Sequence, residues 1–219
     1  MRKINYLFII IILATLIASI YFYDDVPDQV PTHWNTAGEV DDYSSKAFGM
    51  FMMPGLLILM YALYLVVPRI TVFKKNFDQS RKAYDCIFSA IFLFFLLMYA
   101  ATLFASLGYA VKINYIVMVG IALLFYCIGH ALKFVKRNFF MGIRTPWTLS
   151  SDIVWKKTHD AGSMTFRLNA LVIIIAMLVP AYSFALVIGS ILANVIGLLA
   201  YSYILFQKHG KKVGKPFKR

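Results

Sequence analysis

Long apolar runs alternate with short polar segments along this chain. The runs occupy positions 4–23, 47–67, 84–106, 114–134 and 168–207, and each is apolar in its interior. About 20 residues of helix cross a hydrocarbon core, so the first four are single spans. The fifth run, 168–207, is too long for one crossing, and Pro180-Ala-Tyr-Ser183 interrupts it midway. Two antiparallel helices joined by a tight turn account for it, which gives six spans. A cleaved signal peptide has an apolar region of about 7–15 residues and a small-residue cleavage site. The first run is longer and ends in Tyr21-Phe-Tyr-Asp-Asp25, an aromatic belt followed by acid, so it reads as a retained span.

Composition agrees. Of the 219 residues 61% are hydrophobic and 15% charged, against about 45–50% and about 25% in soluble domains. The net charge of +12 would point to nucleic acid in a soluble protein. Here it reads as orientation, because basic residues are retained on the cytoplasmic side. With the N-terminus inside, Lys46 and Lys112 fall outside and the other twenty of the 22 Lys and Arg fall inside. Six of the ten acids (Asp24, Asp25, Asp28, Glu39, Asp41 and Asp42) fall outside. The expectation is a multi-pass cell-membrane protein with both termini cytoplasmic and no direct contact with nucleic acid. The basic tail from His209 to Arg219 is then a topology anchor, with anionic lipid as a further partner.

Chemistry-bearing motifs are scarce. No Walker, dinucleotide, H-E-x-x-H or G-x-S-x-G pattern occurs. Cys86 and Cys127 lie in or beside apolar runs and read as small buried side chains, with no disulfide framework or metal spacing. The span interiors carry no Asp, Glu, Lys or Arg, while Asp85 and His130 lie near helix ends. This argues against a proton-coupled transporter or ion pump. Gly189, Ala193 and Gly197 recur every four residues in helix 6, beside Ser190 and Asn194. They form a packing seam, within the chain or in a homo-oligomer.

The information sits in two polar segments. In the outer one, Pro27 and Pro31 hold the chain extended, Val30, Thr32 and Trp34 alternate, and Asn35-Thr-Ala-Gly38 can turn before Val40 and Tyr43. A short hairpin or lid is expected. His33 near Glu39, Asp41 and Asp42 admits a metal or pH-switch reading, but a structural role or extracellular ligand binding fits it better. In the inner segment, Thr145-Pro-Trp147 is extended and Ser150 or Ser151 can cap a helix beginning near Asp152. Ile153, Val154 and Trp155 with Lys156 and Lys157 describe an amphipathic piece lying flat at the membrane surface, and a docking surface for a cytosolic partner is the functional alternative.

Two motifs in these segments carry a family resemblance. Pro31-Thr-His-Trp-Asn35, with Gly38 and Asp41, looks like the small domain of unknown function that opens many SdpI proteins. Gly142-Ile-Arg-Thr-Pro-Trp-Thr-Leu149, followed by Val154-Trp155 and Lys157-Thr-His159, is similar to the signature of the SdpI/YfhL family of bacterial integral membrane proteins. Asp160 departs from the basic residue expected there in many members.

The resemblance implies immunity to a secreted peptide toxin and, in the family, a signal to a cytosolic transcriptional repressor held at the membrane. An extracellular ligand would then meet His33, Trp34, Asn35, Gly38 and Asp41. A partner would dock on Arg144, Thr145, Pro146, Trp147, Trp155, Lys157, Thr158 and His159.

The expected fold is all-α. It is a polytopic membrane protein of six transmembrane helices, with an extracellular loop or hairpin after helix 1 and a cytoplasmic interfacial helix between helices 4 and 5. Residues 1–67 would form a transmembrane hairpin holding the loop 24–46. Residues 68–219 would form an SdpI-like four-helix membrane domain with the loop 135–167 and the tail 207–219. No enzyme activity, catalytic residue, metal or cofactor is expected. A small-solute or lipid transporter or flippase is the alternative, and an intramembrane enzyme using His33 or His159 is the weakest reading.

Overall fold

The computed structural model describes residues 2–209, so the basic tail from position 210 onward lies outside the described residues. The order of elements is α1 (Lys3–Tyr21), β1 (Gln29–Trp34), β2 (Val40–Ser45), α2 (Lys46–Ile70), α3 (Lys74–Gln79), α4 (Arg81–Ser106), α5 (Ile113–Leu132), α6 (Pro146–Ser150), α7 (Asp152–Ala176) and α8 (Pro180–His209). The protein is a polytopic all-α membrane protein, and among the described residues its strands form one antiparallel pair.

Among the described residues five helices, α1, α2, α4, α5 and α8, are long and apolar enough to span a membrane. The other expected crossing falls in α7, which has 25 residues, about 37 Å of helix. Its first half carries Asp152, Lys156, Lys157 and Asp160, and Arg167 lies within it. The separate surface helix expected near Asp152 is therefore the beginning of α7. The span does not start afresh at Leu168, because no Pro lies between Ser151 and Ala176 to stop the helix. Arg167 is helical rather than in a loop, and its Nε donates to the Ser163 carbonyl at 2.9 Å. Ser151 caps α7 as expected, its hydroxyl accepting from the Val154 amide.

The break in the last apolar run comes slightly earlier than its proline. Residues 177–179 make the turn and Pro180 opens α8, where its missing N–H costs no helical hydrogen bond. α7 and α8 then pack against each other, with Asn169 reaching the Ser190 carbonyl. The small stripe of α8 faces elsewhere: a Cβ added at Gly189 or Gly197 would meet nothing within 4 Å, whereas Asn194, Leu198, Ser202 and Leu205 are buried.

The chain divides into two compact units, one of residues 1–66 and 88–124, the other of residues 67–87 and 125–219. In the first, Phe8 stacks on Phe92 with ring centroids 4.1 Å apart and meets Tyr64 edge-on at 5.1 Å, all three fully buried. Ser19 donates to the Met50 carbonyl at 2.7 Å and Tyr99 to the Thr15 carbonyl at 2.9 Å, so the buried hydroxyls of α1 and α4 are satisfied. In the second unit, the thiols of Cys86 and Cys127 are free and half-buried.

Candidate functional site

The hairpin belongs to the first unit. Its strands pair Gln29 with Ser45 and Val30 with Ser44, and the register shifts on either side of His33. The Asn35 side-chain oxygen accepts from the Ala37 and Glu39 amides at 2.9 and 3.0 Å, and Gly38 has φ +86°, which closes the turn. Two contacts seat the hairpin. Val30 is fully buried against α2, where a Cβ at Gly49 would lie 1.9 Å from its methyl carbon. At the turn, Asn114 at the start of α5 donates to the Thr36 carbonyl at 3.1 Å.

Of the expected outer residues, Asn35 and Gly38 thus build the turn and Trp34 is half-buried opposite Val40. His33 and Asp41 are exposed and bonded to each other at 2.5 Å. Asp42, Tyr43 and Phe48 lie exposed nearby in the chain.

The inner motif belongs to the second unit, and it folds upon itself. Thr145 caps α6 by accepting from the Thr148 amide, while the Thr148 hydroxyl accepts from the Thr145 amide, a reciprocal capping box with Pro146 at the first helical position. Thr148 also donates to the Ile143 carbonyl at 2.8 Å. Gly142 has φ +107°, and a Cβ there would come within 2.3 Å of the His159 Nε2.

His159 explains this close approach. Its Nδ1 donates to the Trp155 carbonyl at 2.8 Å and its Nε2 accepts from the Ile143 amide at 3.0 Å, which requires the neutral ring. The ring stacks on Trp155 at 4.0 Å, and Trp155 Nε1 donates to the Val135 carbonyl at 2.9 Å. Burial pulls the imidazole down from 6.5 to about 4, against smaller upward influences of the Trp155 carbonyl and Asp160.

The expected docking residues divide accordingly. Arg144, Pro146 and Lys157 are exposed and Trp147 is half-buried, resting on Tyr203 of α8 at 5.1 Å between rings. Thr145, Trp155, Thr158 and His159 are buried, so they shape the loop rather than present a surface. Arg144 donates to the Phe139 carbonyl. The Thr145 hydroxyl reaches Ser202 of α8 at 3.2 Å.

Several residues not singled out from the sequence complete the frame. Asn138, fully buried, accepts from the Phe140 and Met141 amides and donates to the Lys136 carbonyl. Arg137 pairs with Asp152 at 2.9 Å and donates to the Leu149 carbonyl at 3.0 Å. Asn76 of α3 holds the Arg137 carbonyl, and Ser80 accepts from the Lys136 amide. One sequence signal was available: the buried positions 154, 155, 158, 159, 162 and 163 of α7 recur at helical spacing.

Comparison with known proteins follows the same two segments. Residues 10–58 match the family described as Domain of unknown function (DUF1648), and residues 135–206 match the SdpI/YfhL protein family. The Immunity protein SdpI of Bacillus subtilis (strain 168) is 27% identical over 211 residues, covering 94% of this chain and 97% of that relative. No solved structure matches the chain. The chain is similar to the SdpI/YfhL family over residues 135–206 and to this immunity protein along nearly its whole length, as its two motifs implied.

Proposed function

We propose that this protein is an SdpI-like membrane immunity protein that binds a secreted peptide toxin at the hairpin and passes the event to a cytosolic repressor. The observation that carries the reading is the similarity to an immunity protein over 94% of the chain. The outer site would be the exposed edge of the hairpin, His33 and Asp41 with Trp34 beside them, held in shape by Asn35 and Gly38. Six acids between positions 24 and 46, with exposed Tyr43 and Phe48, suit an amphipathic peptide that carries basic groups.

The docking face would be formed by Arg144, Pro146, Trp147 and Lys157, supported from within by Thr145, Trp155, Thr158 and His159. Transmission requires two arrangements that toxin and repressor bias alike. α2, α4 and α5 each contribute residues to both compact units and are the elements through which such a bias would pass. In a homo-oligomer, a second copy would pack on the Gly189 and Gly197 face of α8.

The test is survival. Toxin-sensitive bacteria are challenged with candidate secreted peptides, with and without the gene. Survival that depends on the gene is expected for at least one peptide. Equal killing in both strains by every peptide contradicts the immunity reading.

A further inference from the structure

A cleft of about 330 Å³ opens in the second unit between α3, the segment after α5 and the first turns of α7. Lys133, Lys136, Arg137 and Lys156 line it, together with Asp152 and Asp160. The two carboxylates are already matched: Asp152 by Arg137 at 2.9 Å and Asp160 by Lys156 at 2.7 Å. Lys133 and Lys136 are exposed, and among the described residues neither ammonium group has a carboxylate or hydrogen-bond partner. The cleft therefore carries two positive charges beyond its internal pairs.

Its other walls narrow the ligand chemistry. Gln79 also lines the cleft and carries an amide that can donate. His159 and Trp155 cannot contribute a proton, because their ring N–H groups are committed to the Trp155 and Val135 carbonyls. A ligand held here must bring acceptors and negative charge, as a phosphate ester does.

Position identifies the source of that phosphate. α5 ends at Leu132, so Lys133 is the first residue beyond an apolar span, and the next residue, Phe134, is about half exposed. A lysine beside an exposed aromatic at the end of a span stands at the level of lipid headgroups. We propose that this cleft is a binding site for the headgroup phosphate of an anionic phospholipid, with Lys133 and Lys136 as its charged contacts. The inference does not rest on the immunity reading.

The full-length protein, purified in neutral detergent, is titrated with phosphatidylglycerol, phosphatidylcholine or inorganic phosphate while its thermal unfolding is followed. Phosphatidylglycerol is expected to raise the unfolding temperature, and the other two are not. The double variant K133Q/K136Q is expected to bind phosphatidylglycerol about 25-fold more weakly, at about fivefold per lysine removed. The charge-matched control K75Q/K82Q, altered outside the cleft, is expected to bind as the unmodified chain does. If the double variant does not fold, the single variants K133Q and K136Q carry the test, each with about a fivefold loss.

Equal stabilisation by phosphatidylcholine, or an equal loss in K75Q/K82Q, overturns the site. Equal stabilisation by inorganic phosphate overturns the lipid assignment in favour of a soluble phosphate ligand.

Discussion

His159 is held by the Trp155 carbonyl and the Ile143 amide, and Gly142 leaves no room for a Cβ beside it. Each has a measurable consequence. Adding a methyl group at Gly142 combines an unfavourable positive φ with a clash, so Gly142→Ala is expected to lower the unfolding temperature in detergent. His159→Ala leaves the Ile143 amide without its acceptor, at a cost of about 1–3 kcal/mol. The pH dependence has a definite sign. The unfolded chain takes up a proton on this imidazole near 6.5, whereas the folded chain does so only near 4. Below pH 6.5 unfolding is therefore accompanied by proton uptake, and stability falls as the pH drops from 6.5 to about 4. The full loss is about 3 kcal/mol. Thermal unfolding from pH 7 to 4 is expected to show this slope in the unmodified chain and a shallower one in His159→Ala; equal slopes would reject the assignment.

At the scale of elements, hydropathy made the spans legible because a helix in lipid must be apolar over its crossing length, whatever it packs against. The hairpin was legible from its prolines, alternation and turn residues, and Ser151 from the preference for a hydroxyl cap. Where polar segments fold against protein, the pattern misled. Ile153, Val154 and Trp155 with Lys156 and Lys157 read as a surface helix, but Val154 and Trp155 are buried, with Trp155 beside Gly142, and Ile153 is exposed. An amphipathic stripe has the same period whether lipid or a loop covers it. α3 was not anticipated, because a six-residue helix carries too few turns for a periodic signal. Arg137 and Asn138 act through backbone carbonyls and amides, which leave no pattern in side-chain identity. The Val30–Gly49 contact gives the hairpin its own test. Gly49→Ala is expected to unseat it, with faster proteolysis between positions 24 and 46. Val30→Ala in the same chain, which removes the clashing methyl, is expected to restore protection at least in part. Equal protection of Gly49→Ala and the unmodified chain would show that Val30 does not seat the hairpin.

At the scale of the whole molecule, toxin binding and repressor docking depend on which side of the membrane each polar segment faces. If each candidate span crosses once, one crossing (α1) precedes the hairpin and four (α1, α2, α4 and α5) precede the Gly142–His159 segment. The two functions proposed for them need opposite compartments, and the distribution of Lys and Arg is the ground for expecting the hairpin outside. A reversed orientation would remove the toxin site from the toxin and the docking face from the repressor. A single labelling experiment decides this. In a background of Cys86→Ala and Cys127→Ala, Asp42→Cys in the hairpin or Ser150→Cys in the loop is exposed to a membrane-impermeant maleimide on intact cells, and again after lysis. Position 42 is expected to be labelled on intact cells and position 150 only after lysis; the opposite pattern would rule out a toxin site on the hairpin and a repressor site on the inner segment.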